Sequence, residues 1–150
     1  HDREKLDKIL VELCQMVMDG QKEDDEYYGM VASCVIDNDN NIVKSTSLFH
    51  NGKWIHAERA AMSKYEHDIG PLKEGFIIVT TLSPCNEAMK DRYKESCTKL
   101  INDSPIRKVY CGYSDPSQGD DEYVQKKFNL EVTENNKIKE LCKKYADTFL

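Results

Sequence analysis

The sequence predicts an α/β protein with a mixed sheet of five strands, covered by helices. Three observations carry that expectation. Strand-like and helix-like segments follow one another in the order α-β-β-α-β-α-β-α-β-α, and such alternation in the second half implies a largely parallel sheet. The stretch GFIIVTTLS, residues 75–83, is a near-continuous apolar run, as a central strand buried on both faces requires. A helical segment, DDEYVQKKF at 120–128, separates the last two strands, which favours a parallel pairing of strands 4 and 5.

Each element has its own warrant. Residues 4–18, EKLDKILVELCQMVM, place Leu6, Ile9, Leu10, Leu13 and Val17 at helical spacing. Gly20 is the expected stop, and QKEDDE after it reads as a polar loop. YGMVASCVI, 28–36, is apolar and partly β-branched, a buried strand. DNDNN is a turn, and NIVKSTSLF, 41–49, returns as the second strand of a hairpin. HNGKWI reads as a loop, and HAERAAMSKYEH, 56–67, as a helix of good helix formers. After the central strand come a short helix, CTKLIND, ending before Pro105, and a strand, IRKVYCGYS. The last strand is NLEVTE, and NKIKELCKKYADTFL closes the chain as an amphipathic helix with Ile138, Leu141, Cys142, Tyr145 and Phe149 on one stripe.

The 150 residues suggest one domain, 1–150, without internal repeats or a linker. A chain of that length buries about two-thirds of its unfolded surface and needs no disulfides to fold. Six cysteines are far below the density of a disulfide scaffold. With no signal peptide or long apolar run in view, the expectation is a soluble, cytoplasmic protein with no membrane partner. The first residue is His1 rather than Met, compatible with trimming or with a piece of a longer chain. A net charge of −6 leans against a general nucleic-acid binder, whose affinity comes mostly from basic contacts to phosphate, though it leaves room for a local basic groove.

The chemistry concentrates in two segments. His56-Ala57-Glu58 opens a predicted helix, and Pro84-Cys85 ends the central strand, with Cys85 27 residues after Glu58. A catalytic zinc site takes three protein ligands and one water. His56 and Cys85 supply an imidazole and a thiolate. Glu58, two residues from His56, is poorly directed to share the same metal but can face the water, taking its proton and handing it to a leaving amine.

These segments resemble the zinc deaminase signature H-x-E…P-C-x-x-C. The cysteine expected two residues on is missing, since position 88 is Ala. In zinc deaminases the second cysteine opens a helix that runs through a turn into the next strand, and CTKLINDSPIRKVYCG has that form. Cys97 therefore stands where the third ligand belongs, and residues 86–96 form an insertion between two ligands. Closing such a loop costs only about a kcal/mol more than closing one a few-fold shorter.

The order of HAERAAM, VTTLSPC, CTKLI, IRKVYCGYSDP and NLEVTE is similar to that of the cytidine deaminase-like superfamily over nearly the whole chain. The long inter-cysteine segment, Asp115-Pro116 after the fourth strand and His50 shortly before His56 resemble the riboflavin-pathway deaminases, in a layout shared with deoxycytidylate-type enzymes. The resemblance implies a three-layer α/β/α fold, a Zn2+ cofactor held by His56, Cys85 and Cys97, Glu58 as the catalytic residue, and hydrolytic release of ammonia. It implies substrate contacts at Tyr28, His50, Asn51 and Ala57. Departures concern the substrate: TLSPC where riboflavin-pathway enzymes usually have TLEPC, a charged inter-cysteine segment without Gly, Thr or Pro, and Tyr27-Tyr28-Gly29 where many members carry an asparagine.

The remaining candidates have plainer readings. Cys14, Cys34, Cys111 and Cys142 lie on apolar faces as core residues. His67 reads as a helix-end surface residue and Trp54 as a packing residue. Lys90, Arg92 and Lys94 could meet a phosphate but are balanced by Glu87, Asp91 and Glu95. The leading expectation is a deaminase of an aminated pyrimidine-type ring in a nucleotide, nucleoside or riboflavin precursor, with a small-molecule partner and relatives that often form homo-oligomers. One rival is a deaminase of cytosine or adenine in DNA or RNA, as a toxin or editing module of a longer protein. The other is a non-catalytic binding or scaffold module, disfavoured because Glu58 is present.

Overall fold

The computed structural model describes residues 2–23, 28–50, 53–84, 96–114 and 127–149. In chain order they form α1 (Arg3–Glu23), β1 (Tyr28–Ile36), β2 (Ile42–His50), β3 (Lys53–Ile55), α2 (Ala57–Asp68), β4 (Ile77–Leu82), α3 (Cys97–Asp103), β5 (Lys108–Tyr113), β6 (Asn129–Val132) and α4 (Asn136–Phe149). One mixed sheet runs β3-β2-β1-β4-β5-β6. The β1–β2, β1–β4 and β2–β3 pairs are antiparallel, and the β4–β5 and β5–β6 pairs are parallel. All five expected strands are present, and the expected parallel pair is β5–β6.

Side chains alternate between the two faces of the sheet, as the period of two demands. Ala32, Cys34, Ile36, Ile77, Val79 and Tyr110 pack with Leu6, Leu10, Leu13 and Val17 of α1 and Ile138 and Cys142 of α4. Val35, Ile78 and Val109 face the other way, onto Ala61, Met62 and Tyr65 of α2 and Ile101 of α3. The result is three layers, α/β/α. Every residue of β4 is buried, which is why its sequence reads as a near-continuous apolar run, broken by Thr80 and Thr81.

Two boundaries differ from expectation. α1 continues through Gly20 to Glu23. One helical glycine costs about 1 kcal/mol relative to alanine, and the good helix formers Gln21, Lys22 and Glu23 carry the helix on. The segment HNGKWI, expected as a loop, contributes the short edge strand β3, which pairs Leu48 with Ile55 and His50 with Lys53. The expected helix 120–128 falls almost wholly outside the described residues, and Lys127 and Phe128 are not helical. Among the described residues no helix is long and apolar enough to cross a membrane.

Candidate active site

Three backbone termini converge at one end of the sheet: the C-terminal end of β4 and the N-termini of α2 and α3. Ligands in α/β sheets characteristically bind beyond the carboxyl ends of parallel strands, and here that position follows from local structure. His56 is the N-cap of α2, with φ −65° and ψ 150°, but its ring makes no capping hydrogen bond. The ring is directed across to α3. Glu58 lies in the first turn of α2, where a negative charge suits the helix dipole. Cys97 is the first residue of α3, whose N-cap Ser96 accepts a hydrogen bond from the Lys99 amide at 3.1 Å.

His56 Nδ1 lies 3.4 Å from Cys97 Sγ. The Cys97 thiol donates to Glu58 Oε2 at 3.4 Å. Thr80 Oγ1, on β4, donates toward Glu58 Oε1 at 3.2 Å and toward the Leu82 carbonyl at 2.9 Å. Glu58 and Cys97 are only 4 % and 1 % exposed, so these groups meet in a site largely shielded from water. Thr98 Oγ1 lies 3.5 Å from the carbonyl of Pro84, which brings the end of β4 against the start of α3.

The donor set fits a zinc ion. Tetrahedral coordination with Zn–N of about 2.05 Å and Zn–S of about 2.3 Å puts the two donor atoms about 3.5 Å apart. The 3.4 Å between Nδ1 and Sγ matches that separation. Among the described residues no three His, Cys, Asp or Glu side chains make a complete metal cage. The third expected ligand, Cys85, lies outside the described residues, directly after Pro84.

Of the expected site residues, His56, Glu58 and Cys97 come together. Ala57 is fully buried between the first two. Tyr28 and His50 are placed by their backbones at the start of β1 and the end of β2. Asn51, and Lys90, Arg92 and Lys94 with the rest of the inserted segment, lie outside the described residues. Cys14, Cys34, Cys111 and Cys142 are buried and in no disulfide, as expected of core cysteines. His67 is an exposed residue in the last turn of α2. Sequence reasoning passed over Thr80 and Ser33, two fully buried hydroxyls beside Glu58. Their only signal was a polar residue among apolar ones, Ser33 in β1 and Thr80 beside Thr81 in β4.

The chain belongs to the family described as the cytidine and deoxycytidylate deaminase zinc-binding region, whose model matches residues 4–113. No curated protein sequence matches it. Among solved structures it is similar to the diaminohydroxyphosphoribosylaminopyrimidine deaminase/5-amino-6-(5-phosphoribosylamino)uracil reductase of Thermotoga maritima, with a TM-score of 0.72 and 19 % identity over 99 % of this chain and 42 % of that one. It is also similar to a tRNA:A34 deaminase, which edits A to I at the wobble position of transfer RNA, with a TM-score of 0.58 and 18 % identity over 84 % of this chain and 98 % of that one. The dCMP deaminase of cyanophage S-TIM5 gives a TM-score of 0.56 and 18 % identity over the same shares, 84 % and 98 %. At such identities the likeness concerns the fold. The chain spans less than half of the Thermotoga protein, 42 % of its length.

Proposed function

We propose that the protein is a zinc-dependent hydrolytic deaminase that releases ammonia from an aminated pyrimidine-type ring in a nucleotide, nucleoside or riboflavin precursor. The observation that carries this reading is the convergence of His56 Nδ1, Cys97 Sγ and the buried Glu58 carboxylate within 3.4 Å contacts. His56, Cys97 and Cys85 would hold the metal. A zinc ion bound there supplies Lewis acidity that brings the pKa of a water down toward neutrality.

The chain's own residues do the rest. Glu58 takes a proton from the attacking water as oxygen adds to the ring carbon. It hands that proton to the adjacent ring nitrogen and then carries the proton of the new hydroxyl to the exocyclic nitrogen, so that the C–N bond breaks as ammonia leaves and a ring carbonyl remains. Burial of Glu58 excludes bulk water that would otherwise compete for the proton. A small-molecule substrate is supported by the net charge of −6, which disfavours a polyanion.

The test is ammonia release by the zinc-loaded protein from dCMP, cytidine, the diaminopyrimidine ribosyl phosphate, single-stranded DNA and transfer RNA. The expected result is turnover of one of the small molecules. Turnover confined to a polynucleotide, falling steeply with salt, would replace this reading with its nucleic-acid rival. A zinc-loaded protein inert toward all five would overturn it.

A further inference from the structure

Behind Glu58 two hydroxyls cross the sheet. Ser33 on β1 and Thr80 on β4 are direct cross-strand partners, and both are fully buried. Ser33 Oγ donates to Thr80 Oγ1 at 2.7 Å. That bond occupies one lone pair of the Thr80 oxygen and leaves its single hydrogen facing Glu58 Oε1 at 3.2 Å and the Leu82 carbonyl at 2.9 Å. An ionised carboxylate only accepts hydrogen bonds, so the hydroxyl is the donor toward Glu58.

Beyond the Leu82 carbonyl, which accepts from Thr80, the core around this pair does not call for hydroxyls. Replacing both partners of a buried hydrogen bond by apolar groups of the same shape can be nearly neutral, and the next pair on the same face, Val35 and Ile78, is already apolar. What the pair offers is direction. Threonine is β-branched and stiff about χ1, so strand β4 fixes where its oxygen sits. Glutamate is long and rich in rotamers, and a proton carrier must be held in place. Oε1 of Glu58 accepts from Thr80 of β4; the Cys97 thiol of α3 reaches Oε2, but as a zinc-binding thiolate it would have no proton to donate, whereas the Thr80 hydroxyl keeps its hydrogen.

We infer that Thr80 is a positioning residue that orients the Glu58 carboxylate, with Ser33 orienting Thr80 in turn. The inference rests on the reading of Glu58 as the proton carrier. The competing view is that the two hydroxyls merely satisfy each other and the Leu82 carbonyl.

The test is crystal structures of the zinc-loaded protein and of its T80V, T80S and S33A/T80V variants, with zinc content and melting temperature measured on each. In T80V the carboxylate should leave its position or split between rotamers, with zinc retained. T80S should restore it. Because S33A/T80V orphans no hydroxyl, it should fold even if T80V does not, and should show the same displacement. On whichever substrate is turned over, kcat of T80V should fall on the order of tenfold to 10²-fold with KM unchanged, and T80S should recover it. A Glu58 carboxylate that stays in place without the Thr80 hydroxyl, or is displaced as far in T80S as in T80V, overturns the inference. If the parent releases no ammonia from any substrate, the proposed function fails while the crystallographic arm still decides the role of Thr80.

Discussion

In the proposed reaction the proton is carried by Glu58. E58Q keeps the shape of the side chain, and the amide can still accept from Thr80, but it cannot carry a proton. The variant should retain zinc and fold while turnover falls by 10²–10⁴-fold or more; near-normal ammonia release would reject the assigned role. A second residue matters for stability. Asp37, in the turn after β1, accepts from the Asp39 and Asn41 amides at 2.9 and 2.8 Å, from Asn41 Nδ2 at 2.9 Å and from Tyr65 Oη at 2.8 Å. Burial pushes its pKa up, but the hydrogen bonds from Asn41, Tyr65 and Asp39 together outweigh burial and hold it below the ordinary carboxylate value. A depressed folded pKa gives stability that is present above about pH 4, the unfolded value, and is lost as pH falls through the folded one. Tyr65 has the opposite sign: burial first, then Asp37, push it up to about 12. Its contribution is whole below about pH 10 and is lost as pH rises toward 12. D37N sets an amide donor against Asn41 Nδ2, and should cost about 1–3 kcal/mol while flattening the acid limb of a urea-unfolding pH profile. An unchanged acid limb would assign that limb to other carboxylates. The meeting of His56, Glu58 and Cys97 was legible in the sequence because the proposed metal and proton chemistry admits few residue types. Thr80 and Ser33 were not, because a hydroxyl in a strand looks the same whether it faces a carbonyl or a catalytic carboxylate.

At the scale of elements, apolar periodicity was the dependable guide. The stripe of Leu6, Ile9, Leu10, Leu13 and Val17 is buried along α1, and Ile138 and Cys142 are buried on α4. Ends and short pieces were harder to read. A glycine penalises a helix without forbidding it, so Gly20 did not stop α1. Three residues give no period, so β3 was invisible to that test, although Asn-Gly at 51–52 is a strong hairpin signal. The docking of α4 on β5 makes its own prediction. A Cβ added at Gly112 would stand 2.2 Å from Cys142 Sγ, 3.0 Å from Cys142 Cβ and 3.2 Å from the Thr81 carbonyl. Cys142 has no slack, since its Sγ already lies 3.5 Å from Cys14 Sγ of α1. G112A should therefore destabilise by about 1–3 kcal/mol, the usual cost of overpacking, read as a lower urea midpoint. Double replacement with C142A should recover part of that loss, whereas a G112A protein as stable as the parent would mean that α4 yields freely.

Across the whole molecule, the antiparallel β1–β2 and β1–β4 pairs and the parallel β4–β5–β6 half make one sheet between two helical layers. The alternation of elements made the parallel half legible, because parallel strands need a crossover; α3 lies in the crossover between β4 and β5, and the helix expected between β5 and β6 falls almost wholly outside the described residues. The site is a consequence of that topology. β4, at the junction of the two halves, delivers Pro84 to the place where α2 and α3 begin, and so brings His56 and Cys97 together across 41 residues of sequence. The identity of the substrate was not legible, because it depends on side chains around the mouth of the site rather than on the residues that hold a metal. Whether His56, Cys85 and Cys97 hold one zinc ion is read directly from zinc per chain, by elemental analysis of the purified parent and of C97S, C85S and C111S. One zinc is expected in the parent and in C111S, whose altered side chain is buried in the core, and close to none in C97S and C85S. A folded parent that takes up no zinc, or a C97S protein that keeps a full equivalent, would contradict it.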